Sequence, residues 1–278
     1  MKLREYFLIN ELNQRHELRN VRQNTIMSDP EGLGYEKNMT YVRVGNTYKL
    51  DHSELAQGTI TAEMSFLDYA TYQQFVDFIE TSNELRLIYR PLDTEYFRDV
   101  DFQGITGITK SYNMMQCSIT LNCKSLYYTE DYQEFVAHEV EGESRWPLLF
   151  PFEFNEYSKI TFDYFNFGHT EGAILAEVFG YTQQPQIELL VNGKVRHSVI
   201  FDIVIQEDEK LLYSAKDGDN YVMLEDKNGN QTNVADCLRL EYDNFFKVPR
   251  GRSSIRITSA TGVMNKTVFR ILTAYKVV

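Results

Sequence analysis

Cysteine is scarce in this chain. Three residues, Cys117, Cys123 and Cys237, are too few for a complete disulfide framework. A reducing compartment during folding follows from that. Long hydrophobic runs are also missing: nothing approaches the roughly 18 apolar residues that a transmembrane helix needs. The opening Met1-Lys2-Leu3-Arg4-Glu5 has neither an apolar core nor a small-residue cleavage site, so no signal peptide is expected. Without a secretory route the sequons at Asn38, Asn230 and Asn265 carry no information. Positive charge is in deficit, with 28 Lys+Arg against 40 Asp+Glu and a net charge of −12. That balance argues against duplex nucleic acid or anionic lipid as a partner.

Catalytic constellations are equally sparse. His16, His52, His138, His169 and His197 show no helical metal spacing, and none neighbours a cysteine in a zinc pattern. His197 falls on the apolar side of a predicted strand, as a satisfied or edge histidine would. There is no nucleophile elbow, P-loop or dinucleotide fingerprint. Acids are abundant, but abundance does not nominate a glycosidase pair. Asp217-Gly218-Asp219-Asn220 and Asp226-Lys227-Asn228-Gly229-Asn230 are oxygen-rich. Neither keeps the calcium-loop pattern, and hairpin turns explain both. No catalytic, cofactor or metal residue is therefore assigned.

What is plentiful is aromatic and β-forming sequence. Aromatics make up 14% of the residues, nearly all Tyr and Phe, and they favour strands. Thr59 to Phe66 alternates, with Ile60, Ala62, Met64 and Phe66 on one side. The period then changes. Tyr69, Tyr72, Phe75, Val76 and Ile79 form one helical stripe, which predicts a helix near residues 66–81. Ser65 with Asp68 reads as its capping box, and Met64 against Tyr69 as its hydrophobic staple. Ser82 and Asn83 end it, Glu84 to Arg90 resumes as strand, and Pro91 stops that strand. One helix thus plugs a sheet in a chain that otherwise reads as strand and turn.

Residues 3–12 read as the first strand, with Tyr6, Leu8 and Leu12 on one face, and Leu18 to Ile26 as a weaker one. Asp29-Pro30-Glu31-Gly32-Leu33-Gly34 is a turn cluster in which glycine serves positive φ or close approach. Met39 to Val44 alternates, Gly45-Asn46 turns, and Asp51 to Gln57 reads as loop. Gly104 and Gly107 predict a bulge or bend in Val100 to Thr109. Met115 to Cys123 is the clearest period-2 run, closing at Leu126-Tyr127-Tyr128.

The acidic stretch 129–144 is the predicted linker. It places a first domain at 1–135 and a second at 145–278, with Trp146 as an anchor packing the linker onto a domain. The second half reads as a β-sandwich of many short strands. Its strongest hairpin signal is Asn192-Gly193, between Ile187–Val191 and a long strand Val195–Ile205. Leu238 to Tyr242 and Val268 to Val277 are further strand candidates. Charge is uneven: residues 1–50 carry 8 Lys+Arg and 6 Asp+Glu, and the rest sums to −14. Either the N-terminal segment meets an acidic surface, its own kind included, or this is chance variation in solvated charge.

Several of these segments together resemble the distal tail (Dit) proteins of siphophages and prophages. They are Phe7-Leu8-Ile9-Asn10, Gly32-Leu33-Gly34, Leu87-Ile88-Tyr89-Arg90-Pro91 and Leu126-Tyr127-Tyr128. In the second half, Asn244-Phe245-Phe246-Lys247-Val248-Pro249-Arg250-Gly251 leads into Ile255-Arg256-Ile257. The resemblance implies a mainly β fold: an N-terminal β-rich domain, split-barrel or sandwich-like, with one helix, and a C-terminal galectin-like β-sandwich or jelly roll. It implies a structural virion component at the tail tip, assembled in the bacterial host cytoplasm, with no enzymatic activity and no cofactor. The implied partners are copies of itself in a homohexameric ring, the tail tube protein, the tail-associated lysin or other baseplate proteins, and receptor-binding proteins. DNA would pass through such a ring without specific binding, and no membrane is involved. The alternative is a lectin-like adhesion protein binding cell-wall saccharide through its C-terminal sandwich. A carboxylate-dependent hydrolase has no positive signal.

Overall fold

The computed structural model describes residues 4–136, 159–239, 241–260 and 266–278. Trp146, His138 and the later part of the predicted linker lie outside them. The chain divides into two compact units, Met1–Thr129 with Tyr275–Val278, and Glu130–Ala274.

The first unit contains β1 (Glu5–Asn10), β2 (Arg15–Glu17), β3 (Thr25–Met27), β4 (Lys37–Val44), β5 (Thr47–Leu55) and β6 (Thr59–Phe66). Helix α1 (Tyr69–Glu80), β7 (Leu85–Arg90), β8 (Tyr96–Ser111), β9 (Met114–Cys123) and the start of β10 (Tyr127–Val136) complete it. Antiparallel pairing runs β2-β1-β7-β8-β9-β6-β3. Alternation turns one face of these strands inward: Tyr6 and Leu8, Leu87 and Tyr89, Ile119 and Leu121, Ile60 and Met64 share one core. Strand β8 bulges between Phe102 and Gly104 and again between Thr106 and Thr109, where the two glycines predicted an irregularity.

Helix α1 covers this core with Tyr72, Phe75 and Ile79, each buried. Burial of side chains this large contributes roughly 1.5–3 kcal/mol apiece. Three details differ from the sequence reading. The N-cap is Asp68, whose side chain accepts the Thr71 N–H at 2.7 Å and the Asn24 amide at 2.7 Å. A carboxylate there satisfies an orphan donor directly, so Ser65 has no capping part and remains in β6. Tyr69 leaves the stripe, because the first helical residue points off the sheet: it is 56% exposed and no staple to Met64 forms. The helix is shorter than 66–81 at both ends: it starts at Tyr69 and ends at Glu80, and Thr81 caps it with its hydroxyl donating to the Asp77 carbonyl.

After the helix, Glu11 ties the β1–β2 turn to the chain's return. Its carboxylate accepts the backbone N–H groups of Asn83 and Glu84, both at 3.2 Å. Hydrogen bonds from its own backbone N–H and from those of Glu84 and Asn83 hold its pKa down to about 2, against an ordinary 4.5. A depressed carboxylate stabilises the fold above its unfolded pKa, and the contribution vanishes as pH falls through the folded one. Glu11→Gln is therefore expected to flatten the stability curve between about pH 4.5 and about 2, read by urea unfolding at stepped pH. A curve superposing on that of the parent chain refutes the assignment.

The second unit is a two-sheet sandwich. Its strands are β11 (Lys159–Asn166), β12 (Gly172–Phe179), β13 (Thr182–Gln183), β14 (Gln186–Val191), β15 (Lys194–Ile200) and β16 (Val204–Ile205). β17 (Lys210–Lys216), β18 (Asp219–Glu225), β19 (Gln231–Asn233), β20 (Lys247–Val248), β21 (Gly251–Thr258) and β22 (Lys266–Tyr275) follow. One sheet runs β11-β21-β14-β15; the other includes β19-β18-β17-β12-β22. Ile187, Leu189, Val199, Ile255 and Ile257 from the first meet Ile174, Leu211, Tyr213, Phe269 and Ile271 from the second. Asn192 and Gly193 turn with φ of 53° and 74°, as a two-residue hairpin between twisted strands requires.

Three expectations fail in this half. The acidic residues 129–136 are strand, not linker, since β10 continues to Val136. The reason is that its acids have partners on other strands: Tyr164 of β11 donates to Asp131 at 2.5 Å, and Lys266 of β22 pairs with Glu134 at 2.8 Å. Phe135 also packs its ring against that of Phe162, with centroids 5.0 Å apart. The long strand Val195–Ile205 breaks at Ile200, and a bulge at Leu189/Leu190 shifts its register, leaving Val195 exposed. Of the candidate Leu238 to Tyr242, the described residues Leu238, Arg239, Glu241 and Tyr242 lie in no strand: a 3-10 turn, Ala235–Cys237, precedes them and an isolated bridge joins Leu238 to Phe201.

Candidate functional site

The residues with catalytic potential do not converge. His16 lies 5.3 Å from the Phe75 ring and 5.5 Å from Phe78, and burial lowers its pKa, which keeps it neutral. His52 faces Glu54 on β5 at 3.4 Å. His197 bonds Asp243 at 2.9 Å and stacks on Phe246 at 5.8 Å. Burial pushes Cys117 and Cys237 up to about 11 and raises Cys123 as well, so these thiols stay protonated and unreactive at neutral pH. Among the described residues no three His, Cys, Asp or Glu side chains gather as a metal cluster.

Both oxygen-rich loops are occupied by turn chemistry. Asp217 and Gly218 connect β17 to β18, and the Asp217 carboxylate pairs with Lys247. Asp226 accepts the Asn228 and Asn230 N–H groups at 2.8 and 2.9 Å, closing its own hairpin. A cavity in the first core is lined by Tyr6, Leu18, Met27, Pro30, Ile60 and Leu87, among others, and no carboxylate, histidine or thiol lines it. Among the described residues no helix is long and apolar enough to cross a membrane.

Surfaces, not clefts, hold the unusual features. The largest is the hairpin of β4 and β5. Every residue of both strands is exposed, and neither strand has a substantial contact with any element but the other. Pairing sets Tyr41 opposite Leu50, Arg43 opposite Tyr48, Met39 opposite Ser53 and Lys37 opposite Leu55. Strand alternation then collects Met39, Tyr41, Tyr48, Leu50 and Leu55 on one face. The Tyr41 hydroxyl donating to Met39 Sδ at 3.2 Å lies on that face. Sequence reasoning missed this half of the hairpin by reading Asp51 to Gln57 as loop. The alternation of Tyr48 with Leu50 signals only the start of β5, and Asp51 to Glu54 extend it without a buried face.

A second feature lies in the sandwich. Phe165 and Phe167 are exposed with ring centroids 4.4 Å apart. Two residues before Phe165, Asp163 accepts from Arg252 at 2.7 Å and from Ser254 at 2.6 Å.

Residues 5–124 match the family model described as "Distal tail protein, N-terminal domain". Over its whole length the chain has the fold of a chain in the activated phage P2 baseplate with Ca: TM-score 0.69, 13% identity, all of both chains covered. The corresponding baseplate with Sr gives 0.67 at 12% identity, again over all of both chains. The crystal structure of the SPP1 Dit protein, described as a paradigm of the hub adsorption apparatus in phages infecting Gram-positive bacteria, gives 0.58 at 9% identity. It covers 97% of this chain and 98% of that one. Comparison with curated proteins returns no match.

Proposed function

We propose, from the premise that residues 5–124 are a distal tail protein N-terminal domain, that the whole chain is a structural hub of a phage tail tip. The observation that carries this reading is that domain match, within a fold shared end to end with the baseplate and hub chains. In this reading the first unit builds a homohexameric ring. One face of the ring meets the tail tube protein. The other meets the tail-associated lysin or further baseplate proteins, with receptor-binding proteins attached. The protein performs no catalysis. It sits at the virion tail tip after assembly in the host cytoplasm, where protonated thiols such as Cys117 and Cys237 need no partner.

Light scattering on the purified full chain tests this. The expected mass is six times the 32.6 kDa protomer, with ring interfaces each above about 1,000 Å². A persistent monomer at high concentration overturns the ring. The lectin-like reading has one observation in its favour, the exposed Phe165–Phe167 pair beside Asp163, Arg252 and Ser254. A monomer with measurable glycan affinity would establish that reading instead.

A further inference from the structure

We infer that the β4–β5 arm grips a second copy of this chain, laying its apolar face on the neighbour's acidic surface outside the neighbour's own arm. The inference rests on the hub reading above and names the element that would close its ring.

An isolated two-stranded hairpin is at best marginally stable in water. This one has no covering layer from its own unit, yet carries Tyr48 at 70%, Tyr41 and Leu50 at 53% and Met39 at 50% exposure on one side. Single exposed apolar residues are ordinary, but a contiguous group on one face marks an interaction surface. Its residue types also fit: Tyr, Met and Arg are enriched in interface cores. Lys37–Leu55 supplies 19 residues, close to the roughly 20–30 per side of a stable interface.

Charge selects the occupant. The apolar face carries Lys37 and Arg43 and no acid. Over Lys37–Leu55 as a whole, Lys37, Arg43 and Lys49 against Asp51 and Glu54 leave +1; because the chain totals −12, everything else sums to −13. Within the same unit and outside the arm, residues 56–129 hold 5 Lys+Arg and 9 Asp+Glu. Two arms face to face would bring like charges together, whereas an arm on the body of another copy brings opposite charges together. Symmetry agrees with charge. An arm-to-body contact uses two different patches, so it is heterologous, and heterologous contacts are the kind that close into rings. An arm-to-arm contact is isologous and stops at two.

Two full-length variants test the inference. Tyr41→Thr, Tyr48→Thr and Leu50→Thr together remove the apolar face while keeping β-branched strand formers. Lys37→Glu with Arg43→Glu reverses the charge on that face and leaves its apolar side chains. At a protomer concentration where the parent chain is fully assembled, both are expected to drop to the 32.6 kDa monomer by light scattering. Their thermal midpoints should not move in the assembly-free range, because no core residue changes. If the parent forms a ring and either variant assembles equally well, the arm is not the grip, and the hub reading survives. If the parent is monomeric, the ring itself fails and the arm inference falls with it. A dimer cross-linked through Tyr48 of both arms overturns the arm-to-body contact.

Discussion

Phe75→Ala is expected to cost about 3–5 kcal/mol of the first unit's stability, the range for truncating a buried aromatic ring. Phe75 is fully buried, and its ring centroid lies 5.3 Å from Phe66, 5.3 Å from His16 and 6.2 Å from Phe102. It therefore joins α1 to β6, β2 and β8 at once. Ala keeps helix propensity, so the loss reports packing and the cavity left behind, not the helix itself. The rings around that space belong to paired strands, whose ladders prevent collapse into it. In denaturant the unfolding midpoint should fall with little change in slope. Tyr69→Ala, one and a half turns earlier and 56% exposed, is the matched control and should stay within about 0.5 kcal/mol. Equal effects from the two would mean that α1 is not the plug over this core.

The same contrast explains which parts of the molecule were legible in the sequence. Strands β6 and β9 could be read because each has one dry face: Ile60, Ala62, Met64 and Phe66 are buried, as are Met115, Cys117, Ile119, Leu121 and Cys123. Burial writes a period of two into sequence. The Asn192-Gly193 hairpin was legible for a different reason, since two consecutive positive φ values restrict residue choice. The resemblance to distal tail proteins is borne out over residues 5–124, and the mainly β fold over the described chain. The later half of β5 was not legible. Asp51, His52, Ser53 and Glu54 have no buried face to record, and a bulge between Thr40 and Tyr41 shifts the pairing beside them. Residues 130–136 failed for a related reason. A strand whose acids bond to side chains of other strands has the composition of a solvated connector, and the partners Lys266 and Tyr164 reveal the difference. What composition cannot report for β10 is a contact supplied from elsewhere in its unit, and on the proposal above the arm's contact would come from another copy. A hub would keep its functional surface there.

Gly32→Ala should be the most damaging glycine change of the Gly32-Leu33-Gly34 turn. Gly32 has a φ of +83°, and a Cβ there would sit 1.9 Å from the Thr59 carbonyl oxygen. The backbone conformation alone costs a non-glycine residue roughly 1–3 kcal/mol. The overlap adds to it, because neither side can retreat. Glu31 and Thr61 form an antiparallel bridge, with N–H···O distances of 2.9 and 3.2 Å in the two directions, and this locks the turn against β6. Moving the turn breaks that bridge and leaves backbone groups without partners. Gly34, two residues on, has no atom within 4 Å of its would-be Cβ and no positive φ. Gly34→Ala should then stabilise by up to about 1 kcal/mol, through the unfolded chain's lost freedom. Urea midpoints of the two variants decide the matter, and a Gly32→Ala protein as stable as Gly34→Ala would refute the close approach. Because Lys37 begins the arm five residues after Gly32, the bridge at Glu31 also sets where the arm leaves the sheet. A Gly32→Ala protein that still folds should accordingly assemble less well than its loss of stability alone would predict.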